Sequence, residues 1–193
     1  MKLSGSYQIN LEKQKVWEAL NDPEILKQAI PGCEEFTKNS DTEFTAKATN
    51  KIGPFNASFT GDIELNDLNP PNSYKISGSG NSPVGFASGE ANVKLEDHQD
   101  GTKLTYEVEA NVGGKIAQVG SRLIDMTAKK MADIFFKKFS EVISKETITS
   151  KDQIDTEEEI SENQISKKQK SNNKTLYYSA SVLVVAIIIY LIF

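Results

Sequence analysis

The chain has 193 residues and a net charge of −5, with 22 basic against 27 acidic side chains. That balance disfavours a nucleic-acid-binding surface. A single cysteine, Cys33, excludes an intrachain disulfide and fits a reducing compartment. The segment from Met1 to Gly5 lacks the apolar core of a secretory signal, so the folded part is expected to remain in the cytoplasm.

Leu3, Tyr7 and Ile9 fall on one face of a half-buried strand. Val16, Trp17 and Leu20 then switch to helical spacing. Asp22-Pro23 opens a second short helix, with Asp22 as N-cap and Pro23 at its first position, and Pro31-Gly32 closes it. From there to about residue 112 the period is two. Phe44, Ala46 and Ala48 share a face; so do Phe55, Ala57, Phe59, Gly61, Ile63 and Leu65; so do Leu104, Tyr106, Val108 and Ala110. Pro70-Pro71-Asn72-Ser73 and Asp97-His98-Gln99-Asp100-Gly101 are turn signals. Gly113-Gly114 precedes the longest helical pattern, 115–145, with an apolar stripe through Ile116, Val119, Leu123, Thr127, Met131, Ile134, Phe135 and Val142.

Residues 146–175 are polar and lack aromatics, as in a flexible linker with an r.m.s. reach of roughly 30 Å. Residues 176–193 contain no charge, proline or glycine. As a helix they span roughly 27 Å, enough for a hydrocarbon core of about 30 Å. Tyr177, Tyr178 and Tyr190 lie near the ends, where aromatic rings favour the interface. Lys167, Lys168, Lys170 and Lys174 precede the span and nothing charged follows it. This predicts a single pass through the cell membrane, the N-terminal domain on the cytoplasmic side, and the lysines beside anionic headgroups. A buried core helix is the competing reading, disfavoured by the segment's position beyond a polar linker.

The element order is strand, two short helices, about six more strands, then one long helix. Short turns between consecutive strands imply an antiparallel sheet, and the long helix must bury its stripe against it. The predicted fold is therefore α+β: a curved antiparallel sheet of about seven strands wrapped on a long C-terminal helix, over residues 1–145. Small residues, among them Ala46, Ala57, Gly61, Gly80 and Ala110, occupy strand positions where a filled core would use larger ones. Phe55, Phe59, Phe86 and Tyr106 are available as walls, with Ile116, Val119 and Leu123 on the helix side. That composition suits a pocket for a hydrophobic molecule. It equally suits close packing against bulky helix residues, and the pattern does not decide between them.

No catalytic constellation is visible. His98 is the only histidine and sits in a turn, Cys33 has no second cysteine for a metal site, and no phosphate-cradling loop occurs, so no cofactor is implied. Arg122 is the single arginine among lysines, which suggests a use for its planar fork. An ion pair with Asp125 or a strand carboxylate is one reading. Polar recognition at the mouth of the cavity, for instance of a quinone carbonyl, is the other.

Short motifs follow one another along residues 1–145: Trp17-Glu18-Ala19-Leu20-Asn21-Asp22-Pro23-Glu24, Ile30-Pro31-Gly32-Cys33-Glu34, Lys51-Ile52-Gly53-Pro54, Asn69-Pro70-Pro71-Asn72-Ser73-Tyr74 and Gly85-Phe86-Ala87-Ser88-Gly89. On these motifs the chain shows a resemblance to the carbon monoxide dehydrogenase G-subunit family, within the START-like helix-grip (SRPBCC) superfamily. It is strongest over residues 113–124, Gly113-Gly114-Lys115-Ile116-Ala117-Gln118-Val119-Gly120-Ser121-Arg122-Leu123-Ile124. It implies recruitment of a molybdenum-containing carbon monoxide dehydrogenase to the membrane and handling of a respiratory quinone. A polyketide-cyclase-like enzyme, or a general lipid-binding protein, using the same cavity is the alternative. Tyr106 and Glu107 alternate in face, which leaves little acid–base machinery and favours a non-catalytic role.

Overall fold

The computed structural model describes residues 1–152, with side chains through Lys145. β1 (Lys2–Ile9) is followed by α1 (Lys13–Ala19) and α2 (Pro23–Ala29). Then come β2 (Cys33–Lys38), β3 (Glu43–Ile52), β4 (Phe55–Asn69), β5 (Ser73–Ser82), β6 (Gly85–His98) and β7 (Gly101–Gly114). A 3-10 turn, Lys115–Val119, leads into α3 (Ser121–Asp152). The seven strands form one antiparallel sheet in the order β1-β7-β6-β5-β4-β3-β2.

Local chemistry explains most of these elements. The Asp22 carboxylate accepts hydrogen bonds from the Glu24 and Ile25 amides at 2.8 and 3.3 Å, and Pro23 starts α2 behind that cap. In β4, Phe59, Gly61, Ile63 and Leu65 are buried while Ser58, Thr60, Asp62 and Glu64 are exposed. The predicted alternation therefore holds from Phe55 to Leu65, and the inner face is the apolar one. Gly53 sits in the β3–β4 turn at φ +58°, where a side chain would be strained. Trp17 meets Tyr74 edge-on, with ring centres 5.5 Å apart, which pins α1 to the sheet. α2 packs beside α3.

The predicted stripe on the last helix needs correction. Gly120, at φ +89°, separates the 3-10 turn from α3, so the phase set by Ile116 and Val119 does not carry through. The buried face of α3 is Ala128, Ala132, Phe135, Phe136, Phe139 and Ile143. Leu123 is 37% exposed, and Ile134 and Val142 only flank the buried face. The helical backbone also continues to Asp152, beyond the boundary at 145. Helix propagation adds one bond per residue fixed, which is compatible with such a polar extension. Among the described residues no helix is long and apolar enough to cross a membrane. The Lys167, Lys168, Lys170 and Lys174 cluster and the predicted 176–193 span lie outside the described residues.

Candidate functional site

Two rows of small residues cross the inner face of the sheet. Ala46, Gly61, Gly80 and Ala87 are successive cross-strand partners from β3 to β6. Two residues further along β4, Ile63, Gly78, Gly89 and Ala110 are partners from β4 to β7. Phe44 and Phe59, each 1% exposed, border these rows in β3 and β4.

Two contacts fix how α3 lies over them. At its start, Leu123 and Val119 rest on the β3–β4 turn: a Cβ built on Gly53 would lie 3.1 Å from Leu123 Cδ2 and 3.4 Å from Val119 Cγ1. Further on, Phe136 stacks on Tyr7 of β1 with ring centres 3.7 Å apart, and the Tyr7 hydroxyl donates to Asp133 at 2.6 Å. α3 therefore runs from the β3–β4 hairpin to β1, and the residues between cross the intervening strands. On that stretch its inward stripe is Asp125, Ala128 and Ala132, before the phenylalanines begin. Both layers thus carry small side chains: the two rows on the sheet, and the buried Ala128 and Ala132 on α3, which also packs against α2.

The predicted lining divides accordingly. Phe59, Gly61 and Tyr106 are buried on the inner face, Ile116 is buried beneath the 3-10 turn, and Phe55, Ala57 and Val119 are half-buried. Leu123 lies at the rim rather than inside. Phe86 is displaced: it is 51% exposed on the outer face, with its ring against Gly113. Its strand neighbours Ala87, Ala91, Val93 and Leu95 point inward, and strand alternation sends Phe86 the other way.

Tyr7 and Tyr106 stack with Phe136 where α3 meets β1. Tyr106 lies over Gly5, where any Cβ would clash with its ring and hydroxyl. The Tyr7 phenol is pushed well above its ordinary value, first by burial and then by the Asp133 carboxylate that accepts its hydrogen bond. Burial also raises Tyr106, with the Tyr7 hydroxyl pulling it partly back. Both phenols are consequently held neutral. Cys33 is not poised for chemistry either, since burial pushes its thiol up to about 11. Alkylation of Cys33 should follow the thiolate fraction: it should be slow at neutral pH, reach half its maximum near pH 11 and level off only above that. A rate already at its plateau at mildly alkaline pH would contradict that burial.

Sequence reasoning offered Asp125 only as an ion-pair partner of Arg122 and missed its partly buried position on α3. One carboxylate oxygen, Oδ1, is buried with no hydrogen-bond partner. Its signal lay in Gly120-Ser121, a helix break and restart whose new phase puts residues 125, 128 and 132 on one face. A buried acceptor without a donor costs about 1–3 kcal/mol. Asp125→Leu should therefore raise the unfolding midpoint of the unliganded protein, and a lowered midpoint in thermal unfolding would show that the carboxylate is satisfied. Arg122 does not supply the partner: it is exposed, and no Arg122–Asp125 ion pair forms among the described residues.

A broad depression of about 1280 Å³ opens on the outer face of the sheet, bordered by Glu64, Lys75, Ser77, Glu90, Glu107 and Glu109. Charged and hydroxyl side chains border it, and Lys75 pairs there with Glu90 at 2.8 Å. Its chemistry does not match an apolar ligand.

A seven-stranded antiparallel sheet closed on one long C-terminal helix, with small residues along the inner face, defines a helix-grip-like α+β domain. The chain belongs to the carbon monoxide dehydrogenase G-subunit (CoxG) family, whose model matches residues 5–144. A conserved protein from Geobacillus kaustophilus is 32% identical, with a TM-score of 0.72 over 75% of this chain and 96% of that one. Proteins from Thermus thermophilus (13% identity, TM-score 0.56, covering 74% of this chain and 97% of that one) and Staphylococcus aureus (12%, 0.57, covering 76% and 95%) share the fold. No functionally curated protein matches the chain.

Proposed function

We propose that this protein is a non-catalytic carrier whose inner face takes a hydrophobic molecule such as a quinone, tethered to the cytoplasmic face of the cell membrane by residues 176–193. Membership of the CoxG family supports a carbon monoxide dehydrogenase-type molybdenum enzyme as the partner brought to that membrane. The observation that carries the reading is the supply of small residues in both layers: Gly61, Gly80 and Ala87 on the inner face of the sheet, and the buried Ala128 and Ala132 on α3. Interiors are otherwise packed to the density of organic crystals. Alanine and glycine on both walls leave apolar volume that a ligand can occupy.

Catalysis finds little support in the same place. The inward phenols of Tyr7 and Tyr106 are shifted away from the range where they exchange protons at neutral pH, and their geometry serves the packing against Phe136. The test is extraction of the full chain, purified in mild detergent, with organic solvent. The reading expects one apolar compound strongly enriched over its share in the parent membrane. An extract with the composition of the bulk lipid would sink it.

A further inference from the structure

The geometry points to the hairpin end of the domain as a docking surface for an anionic lipid bilayer. This deepens the tethered-carrier reading by assigning which part of the domain meets the membrane, a role separate from that of residues 176–193. The end in question is built by the β3–β4 turn, the β5–β6 turn and the 3-10 turn that bridges them. Ile116 of the 3-10 turn lies against Gly85, and Val119 lies against Gly53.

Among the described residues, the exposed large apolar side chains are Leu68, Phe86, Leu123 and Met126. Three of the four gather at this end. A lone exposed apolar residue is ordinary, but a cluster marks an interaction surface. Lys51, Lys115 and Arg122 are exposed at the same end, and none makes an ion pair among the described residues. The segments that form it, residues 51–55, 82–87 and 111–126, contain one acidic residue, Asp125, which sits on the inward stripe. Over residues 1–145 as a whole, acidic side chains outnumber basic ones. The positive charge is therefore concentrated where the apolar side chains are.

That combination fits lipid rather than a protein of unspecified charge. Apolar side chains enter the headgroup boundary while flanking bases meet anionic headgroups. Arg122, the one guanidinium, presents the fork that binds a phosphate bidentately. Docked this way, the rim between Leu123 and the Gly53 turn would face the bilayer, and an apolar ligand could pass without crossing water. The tether allows it. α3 carries the chain about 48 Å away from this end, while residues 153–175 can reach at most about 80 Å, so anchoring and docking are compatible in one molecule.

The experiment uses the full chain with Cys33→Ser and a polarity-sensitive dye on Met126→Cys. It is added to vesicles of phosphatidylcholine alone or of phosphatidylcholine with phosphatidylglycerol. The expected result is a blue shift and protection from iodide quenching on the anionic vesicles only, lost in Lys51→Glu/Lys115→Glu/Arg122→Glu. The same dye on Lys75→Cys, on the outer face of the sheet, should stay in water throughout. Circular dichroism of each variant confirms the fold. An aqueous spectrum at position 126 on anionic vesicles, or an undiminished shift in the charge-reversed variant, overturns the proposal. Flotation of the chain with neutral vesicles reports the tether separately: if it fails while the label still shifts on anionic ones, the tether is wrong and the docking surface stands.

Discussion

Phe139→Ala should lower the unfolding free energy by about 3–5 kcal/mol, the range for truncating a buried phenylalanine. Phe139 is fully buried and stacks on Phe135 with ring centres 5.7 Å apart. Both lie on the stripe by which α3 closes the core. The loss combines the transfer term of the ring with the cavity left behind, which a helix held by neighbouring aromatics cannot collapse to fill. Against a total stability of about 5–15 kcal/mol, this is a large fraction. Urea unfolding followed by circular dichroism measures it, and a change below about 1 kcal/mol would place Phe139 outside the core. Leu123→Asp provides the contrast. The sequence stripe made Leu123 a core position whose charging would cost several kcal/mol. At 37% exposed, on the rim of the β3–β4 turn, it should cost far less, because the carboxylate reaches water.

Gly61→Leu should abolish binding of apolar ligands while leaving the protein folded. Gly61 is buried between its partners Ala46 and Gly80, in the middle of the first small-residue row. In a filled core the added side chain would cost about 1–3 kcal/mol through overpacking. Over open apolar volume it finds room, and the area it buries offsets part of any strain. Thermal unfolding with and without a short-chain quinone analogue separates the two cases. A ligand that binds only the native state stabilises it by about 2.7 kcal/mol at a hundred times its Kd. The wild-type midpoint should rise by the corresponding amount, and that of the variant should not move. If the variant unfolds much more readily and no apolar compound shifts the wild type, the small residues serve close packing. The carrier reading would then lose its physical basis.

Much of this architecture was legible in the sequence because it is locally encoded. The period-two runs in β3, β4 and β7 name their inner faces residue by residue, and the structure buries the same ones except Phe55 and Ala57 at the start of β4, which are half-buried. Asp22 and Pro23 announce the start of α2 through hydrogen bonds that span only three residues. Family membership was equally legible, through short motifs spread in order along the chain. The position of Phe86 was legible too: the parity of Ala87, Ala91, Val93 and Leu95 points it outward, and its size was a poor guide to its face. What the tertiary structure alone decided was the relation between α3 and the sheet. A single positive-φ glycine, Gly120, resets the helical phase, and a shift of one residue turns a helix face by about 100°. That rotation takes Leu123 to the rim and Met126 to the surface, and it turns Ala128 and Ala132 into the interior. Periodicity records which residues share a face within one unbroken element. How that face is turned toward another layer depends on where the chain breaks and on the contacts at each end, here Gly53 with Leu123 and Tyr7 with Phe136, which lie far apart in the sequence.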